Sequence, residues 1–302
     1  IVGGNMGVSW NSKKVRKYSF VIAVLLPIML LFTVIRIIPI TDTIITSLYR
    51  RNMIRPGKEY IGFENYSYIF KDPGFFNAMS NTAIIASVSM LASIAIGLFL
   101  AVEVNDSKLK GMKFWQAILF VPVIVSVVPS TLMWKMLFDY NIGIVNYVIK
   151  ALGGTTVDWI NNERNVTWVV IIVCVWKEMG YNMMIYYVGL KAIPHELYES
   201  AAIDGASRYQ RLRYITLPML KPSTLFLFVT GLIKFVKVFT QSTVMTSGSQ
   251  SSGNILKTIV YYIYQQGFSF HSMGRASAAA TVLLVIVLLL TLLQFRITRE
   301  RE

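Results

Sequence analysis

Thiol and imidazole chemistry are almost absent from this sequence. Its 302 residues hold one cysteine, Cys174, and two histidines, His195 and His271. A single thiol excludes a disulfide framework within the chain and a thiolate metal site, and two imidazoles exclude an all-histidine zinc site. Charge is scarce as well: 15% of the residues are Asp, Glu, Lys or Arg, against about 25% in an ordinary soluble domain. Acids are the rarer half, 15 against 29 basic residues. The 302 residues contain no G-x-x-x-x-G-K-[ST] phosphate loop, which excludes nucleotide hydrolysis of the P-loop kind by this chain.

What fills the sequence instead is apolar surface. Hydrophobic residues make up 55% of the chain, and its mean hydropathy is +0.55. A net charge of +14 on a polar chain would suggest nucleic acid. Here the basic residues lie between long apolar runs, so no nucleic-acid partner is expected. The chain reads as an all-α integral membrane protein.

A helix needs about 20 mostly apolar residues to cross the hydrocarbon core of a bilayer. Six runs qualify, and six transmembrane helices are expected: Phe20 to Ile40, Ala83 to Val102, Phe114 to Leu137, Val166 to Leu190, Leu225 to Met245 and Ala276 to Ile297. The first follows Lys13, Lys14, Arg16 and Lys17, as a secretory signal would. It is longer than a signal core and no small-residue cleavage site follows it, so a retained span is expected. If the N-terminus is cytoplasmic, fifteen basic residues fall on the cytoplasmic side and nine on the other. Both termini are therefore expected in the cytoplasm.

The connections carry their own signals. Residues 42–82 contain Tyr60, Phe63, Tyr66, Tyr68 and Phe70 at spacings that suit short interfacial helices. Ile144 to Leu152 has an apolar stripe stopped by Gly153–Gly154. Ser247 to Gly253 is Ser/Gly-rich and reads as a flexible loop. The polar segment 191–222, between the fourth and fifth runs, has helical spacing over His195 to Ala202, a break at Gly205, and a second helical stretch from Ser207 that Pro218 is expected to end. Ala201, Ala202 and Ala206 leave room for a partner surface to approach closely. This is a docking knob by its residues alone.

Within it, Glu199-Ser200-Ala201, three residues, Gly205, nine residues, then Ile215-Thr216-Leu217-Pro218 resembles the EAA motif of bacterial ABC-importer permeases. Ser200 is the departure, standing where that family usually has alanine. Gly62-Phe63-Glu64-Asn65-Tyr66, Val244-Met245-Thr246 and Tyr261-Tyr262-Ile263-Tyr264 are similar to the carbohydrate permeases of the maltose and glycerol-phosphate importers. The resemblance implies a cytoplasmic segment 1–19 and a six-helix permease domain 20–302, with 191–222 as the coupling loop between spans four and five. The location implied is the bacterial inner membrane.

The same resemblance implies that Glu199, Ser200, Ala201, Asp204, Gly205, Ile215, Leu217 and Pro218 engage an ATPase. It implies a second, homologous permease subunit, two ABC ATPase subunits that bind ATP and Mg, a periplasmic binding protein and a saccharide. This chain would bind no cofactor and would not be an enzyme.

Charges inside the spans bear on the substrate, because each costs roughly 2.5–3.5 kcal/mol on insertion scales. Arg36 and Lys135 lie near span ends and are expected to snorkel. Lys177 and Glu178 point about 100° apart on a helix and should not pair with each other. Lys234, Lys237 and Gln241 are expected to share one face of a single fifth helix. Two ammonium groups there suit an anionic saccharide, a uronate or a phosphorylated sugar. The alternative leaves one lysine on Glu178, the other in water, and a neutral sugar as substrate. The resemblance also points to Met179, Gly180 and Met183 as pathway residues, although the methionines serve equally as packing. An ion-coupled transporter would need more intramembrane acids than Glu178, and a membrane enzyme would need a nucleophile beside a base, which the sequence does not offer.

Overall fold

The computed structural model describes residues 12–55, 57–106, 111–247 and 256–299. From residue 248 on, the expected Ser247–Gly253 loop lies outside the described residues, as do most of the N-terminal segment, Lys108 and Lys110. The chain is built almost wholly from helices. The first membrane segment is α1 (Ser12–Phe32), a π-helical turn Thr33–Ile37 and α2 (Ile38–Thr46). A hairpin of β1 (Tyr49–Arg51) and β2 (Lys58–Tyr60) follows, with Tyr49 opposite Tyr60. Next come α3 (Glu64–Lys71), α4 (Pro73–Asp106), α5 (Met112–Ile124), α6 (Val127–Leu137), α7 (Ile144–Ala151) and α8 (Glu163–Lys191). The polar segment forms α9 (His195–Ile203), α10 (Arg208–Arg211), a π-helical turn Leu212–Thr216 and α11 (Leu217–Met219). The chain ends with α12 (Lys221–Phe235), α13 (Thr240–Thr246), α14 (Ile259–Tyr264), a π-helical turn Gln265–Ser269 and α15 (Met273–Arg299).

Four helical segments are long and apolar enough to cross a membrane: Lys17–Thr46, Pro73–Asn105, Glu163–Lys191 and Met273–Arg296. Two bent pairs bring the number to six if each is one span. The third expected run is one of them, since α5 and α6 meet at a bend of 100°. Its cause is local. Val125 and Ser126 are both extended (ψ 136° and 147°), and Pro129 leaves α6 without an N–H in its first turn, where none is needed. The second pair bends by 63° between Arg208–Met219 and Lys221–Phe235.

The fifth run also departs from the sequence expectation, because α12 stops at Phe235 and α13 starts only at Thr240. The expectation that Pro218 ends the second helical stretch is corrected too. Pro218 lies at the start of α11, and the break falls at Leu220, ahead of Pro222. A proline two residues into a helix leaves a carbonyl behind it without its usual donor. Here and at Pro39 the preceding turn widens to a π turn, with Leu217 N bonded to Leu212 O and Ile38 N to Thr33 O.

The core forms around α8. Gly97 of α4 lies so close to α8 that a Cβ there would sit 2.5 Å from the Cβ of Asn182. One cluster of buried residues, including Ile85, Val170 and Phe235, joins α4, α8 and α12, and a second, including Met183, Tyr186 and Leu227, continues it toward the polar segment. At the opposite end Ile69, Phe75, Ile259, Tyr262 and Ala279 pack α3, α4, α14 and α15 together. The hairpin is fastened there by Asn65, whose amide donates to Ser47 O (2.8 Å) and Tyr49 O (3.0 Å). Arg50 adds ion pairs to Glu59 and Glu64. The Ile144 stripe is the helix α7, and Gly153 turns the chain out of it at φ +84°. The apolar window of Lys17–Thr46 is wholly unburied within the chain.

Gly97→Ala should lower stability by about 1–3 kcal/mol through overpacking of the α4–α8 contact. Thermal unfolding of the purified protein in detergent measures this, and an unchanged midpoint would mean that the two helices can part at no cost.

Candidate functional site

Both helix breaks open onto the same face of α8. The α5–α6 bend and the α12–α13 break enclose a pocket of about 120 Å³ whose polar lining is Cys174, Lys177, Glu178, Lys234, Lys237 and Gln241. The sequence placed Lys234, Lys237 and Gln241 on one continuous helix. They belong to α12, the break and α13 respectively, and the break rather than helical periodicity turns all three toward one pocket.

The three ammonium groups differ in what satisfies them. Lys177 Nζ donates to Pro122 O (2.9 Å) and Val125 O (2.6 Å), carbonyls at the end of α5. A cation at a helix C-terminus is favoured by the carbonyl dipoles as well as by the hydrogen bonds. Lys234 Nζ forms an ion pair with Glu178 Oε2 and lies 5.9 Å from the centroid of the Tyr181 ring. Lys237 is exposed and lines the pocket, and among the described residues its ammonium group has neither an ion pair nor a hydrogen bond. As expected, Lys177 and Glu178 do not bond to each other.

Lys135 makes a second carbonyl cap. It donates to Val244 O (3.3 Å), to the Ser247 carbonyl and to Ser247 Oγ (3.4 Å) at the end of α13. That fixed arrangement replaces the snorkelling expected from its position, whereas Arg36 is exposed on the first segment. The sequence did carry a signal for the Lys177 cap: Pro122 and Pro129 in one apolar run mark a break, and a break in a membrane releases carbonyls.

The three pathway residues taken from the resemblance lie apart from this pocket's lining. At Gly180 a Cβ would meet Leu119 O at 2.2 Å, so the glycine is the point where α5 crosses α8. Met183 is fully buried beside Tyr186, and Met179 is half-buried.

The polar segment forms a compact knob of short helices. Helix α9 ends in a Schellman turn, with Ala206 N bonded to Ala201 O (2.8 Å), Gly205 N to Ala202 O (3.1 Å) and Gly205 at φ +77°. One residue later, Ser207 and Gln210 form a reciprocal capping box that starts α10. Glu199, Ser200, Asp204, Gly205 and Pro218 are exposed, and Ala201, Ile215 and Leu217 are half-buried. Ile203 is an apolar tip, 86% exposed. His195 Nδ1 and Glu199 Oε1 lie 3.0 Å apart.

One contact braces the knob internally and another ties it to a membrane helix. Tyr198 hydroxyl bonds Thr216 Oγ1 (2.9 Å), and Arg208 pairs with Glu103 Oε1 (3.0 Å) near the end of α4. Glu103 was not singled out in the sequence, because it lies one residue past the apolar run. Among the described residues no three His, Cys, Asp or Glu side chains converge to hold a metal.

Comparison with known proteins agrees with this geometry. The family described as binding-protein-dependent transport system inner membrane component matches residues 93–301. YurN of Bacillus subtilis, a probable ABC transporter permease protein, is 32% identical over 289 residues, covering 95% of this chain and 97% of the relative. AraP of the same organism, the permease protein of an arabinooligosaccharides transport system, is 31% identical over 289 residues, covering 95% of this chain and 90% of the relative. A chain of a bacterial alginate ABC transporter, solved in complex with alginate pentasaccharide-bound periplasmic protein, matches with a TM-score of 0.85 at 25% identity, covering 95% of this chain and 96% of that one.

The Lys234–Glu178 pair is asymmetric, with side-chain exposures of 59% and 7%. Lys234→Met should therefore cost about 3 kcal/mol, because it strands a buried carboxylate, and the double substitution Lys234→Met with Glu178→Met should recover most of that loss. Unfolding midpoints of both variants check this. A Lys234→Met protein as stable as the parent would show that Glu178 does not depend on the lysine.

Proposed function

The chain belongs to the family of binding-protein-dependent transport system inner membrane components, as a permease of a carbohydrate ABC importer of the maltose and glycerol-phosphate type, and on that premise we propose that its cargo is an anionic saccharide. Lys237 carries this reading: it is an ammonium group on the pocket wall with no counterion among the described residues. An acidic group on a sugar supplies that counterion, and the Gln241 amide beside it suits a hydroxyl. The alginate transporter, whose substrate is an acidic polysaccharide, supports the reading by analogy. AraP, with its arabinooligosaccharides, favours a neutral cargo, and so does the engagement of Lys234 with Glu178. Lys237 is what separates the two.

In this proposal the chain is not an enzyme. It pairs with a second, homologous permease subunit in the inner membrane, with both termini in the cytoplasm, and residues 20–302 act as one permease domain. Two separate ATPase subunits bind ATP and Mg and receive the knob, with Ile203 as its apolar tip. Glu199, Ser200, Ala201, Asp204 and Gly205 shape the seat, and Ile215, Leu217 and Pro218 join it to α12. Closure of the ATPases on ATP then pulls the knob, and the Arg208–Glu103 and Tyr198–Thr216 contacts pass the pull to α4 and α12. Those helices hold the wall of the pocket that Lys234 and Lys237 line. A periplasmic binding protein delivers the sugar from the other side. Met179, Gly180 and Met183 take part indirectly, by setting how α8 packs.

Two outcomes follow. Lys237→Gln should reduce uptake of a uronate-containing oligosaccharide into liposomes about tenfold, the loss of one charge-assisted hydrogen bond. Uptake of a neutral oligosaccharide should change little, and an equal loss for both sugars would remove the case for an anion. At the knob, Gly205→Asn should retain sugar-stimulated ATP hydrolysis by the assembled importer, because asparagine tolerates the left-handed conformation, whereas Gly205→Val should lose most of it. Equal activity of the two variants would show that the turn does not shape the coupling contact.

A further inference from the structure

We propose that Glu178 sets how many acidic groups of the substrate this pocket accepts, by keeping Lys234 occupied and leaving Lys237 alone to bind one. The inference rests on the anionic-cargo reading and goes a step beyond it. The pocket holds three cations and one carboxylate among its lining residues. Lys177 is spent on the carbonyls of Pro122 and Val125, and Lys234 is held by Glu178. Lys237, three residues further along the same wall, has no partner among the described residues.

The two halves of the ion pair are not equivalent. Glu178 is buried in the α4–α8–α12 packing, with 7% of its side chain exposed, whereas 59% of the Lys234 side chain faces the open pocket. The acid therefore acts as a fixed anchor, and the lysine is the mobile, solvent-reachable member. A second acidic group on the substrate would have to displace a carboxylate that cannot move away into water. That displacement is unfavourable, because it leaves a buried charge without its counterion. Glu178 thus acts as a built-in competitor for Lys234, and a substrate with a single acidic group avoids the competition.

Removing the competitor should release Lys234 to the cargo. In Glu178→Gln the buried charge disappears and the exposed lysine can be solvated until a substrate arrives. The experiment uses the importer assembled from all its subunits in liposomes, with its binding protein. The two probes are an oligosaccharide with one uronate and an oligosaccharide of equal length with two adjacent uronates. The quantity read is the ratio of kcat/KM for the two probes, variant against parent, in which the common delivery step by the binding protein cancels.

Glu178→Gln is expected to raise the two-uronate to one-uronate ratio about tenfold, the gain of one charge-assisted hydrogen bond. Glu178→Gln combined with Lys234→Gln, which removes both charges together, is expected to restore the parental ratio. A general weakening of the fold would lower both probes together and leave the ratio where it was. An unchanged ratio in Glu178→Gln therefore overturns the inference. Should that variant fail to assemble, Glu178→Asp, with a shorter reach to Lys234, is expected to move the ratio the same way by a smaller factor, and an unmoved ratio there overturns it equally. Lys237→Gln, measured alongside, separates the two levels. If it spares the one-uronate probe, the anionic reading itself falls. If it weakens that probe while Glu178→Gln leaves the ratio unchanged, only the role of Glu178 falls.

Discussion

A helix that breaks inside a membrane releases carbonyl groups that no water is present to satisfy, and this chain breaks at least twice in segments apolar enough to cross. Much of the interior follows from how those carbonyls are bonded. Lys177 reaches from the uninterrupted helix α8 to the end of α5, and Lys135 reaches from α6 to the end of α13. Each lysine satisfies carbonyls at a helix end, and Lys177 in doing so helps fix the direction in which the chain leaves α5. The 100° bend between α5 and α6 is therefore held from outside the bend as well as by the extended backbone at Val125 and Ser126. An intramembrane lysine, costly when isolated, becomes favourable where carbonyl dipoles converge.

The break and the pocket are consequences of each other. Because α12 stops at Phe235, Lys234 and Lys237 both lie at its C-terminal end, where a positive charge is tolerated even without an acid. The remaining wall is α8, whose rotation brings Glu178 to Lys234 and Lys177 to α5 from adjacent positions in sequence. The close approach of α4 and α8 at Gly97 and of α5 and α8 at Gly180 fixes that rotation. These two glycines thus act on the charge arrangement at a distance, through the backbone separations they permit. At the far end, the ion pair between Arg208 and Glu103 is half-exposed and adds little stability by itself. Its geometry matters more than its energy, because it joins the knob to the helix that packs along α8.

The sequence showed its apolar runs and its polar segment clearly, and those parts stand in the structure with shifted ends, except that the third and fifth runs are each broken into two helices. The break at Gly205, the helix start at Ser207 and the stop at Gly153 are local signals and were legible as such, and the structure gives the first two their form, a Schellman turn and a capping box. The α5–α6 bend was written in Pro122 and Pro129 but is easily taken for a gentle kink, since hydropathy alone runs on through it. The break after Phe235 carries no such mark. Phe235-Val236-Lys237-Val238-Phe239 has neither glycine nor proline, and its backbone tightens into i→i+3 bonds, Lys237 N to Lys234 O and Val238 N to Phe235 O. Burial of Phe235, Val236 and Val238 in the core decides the matter there, and tertiary packing of that kind has no local sequence signature. For the same reason periodicity could suggest that Lys234, Lys237 and Gln241 converge but assigned the wrong cause.

The charge of the pocket can then be traced to the backbone. A straight fifth helix carrying two lysines three residues apart would need a counterion for each, and α8 places one acid, Glu178, on this pocket. Breaking the helix removes that requirement, because the second lysine sits past the helix end and is exposed on the pocket wall. The fold therefore tolerates an ammonium group without a counterion among the described residues, which an intact membrane helix would not. A pocket built for neutral hydroxyls alone would have no need of that concession, since amide side chains such as Gln241 meet hydroxyls without any charge to stabilise. The break after α12, the acid that α8 places on the pocket and Lys237, without a side-chain partner among the described residues, are three parts of one arrangement, and the acidic sugar proposed as cargo is its complement.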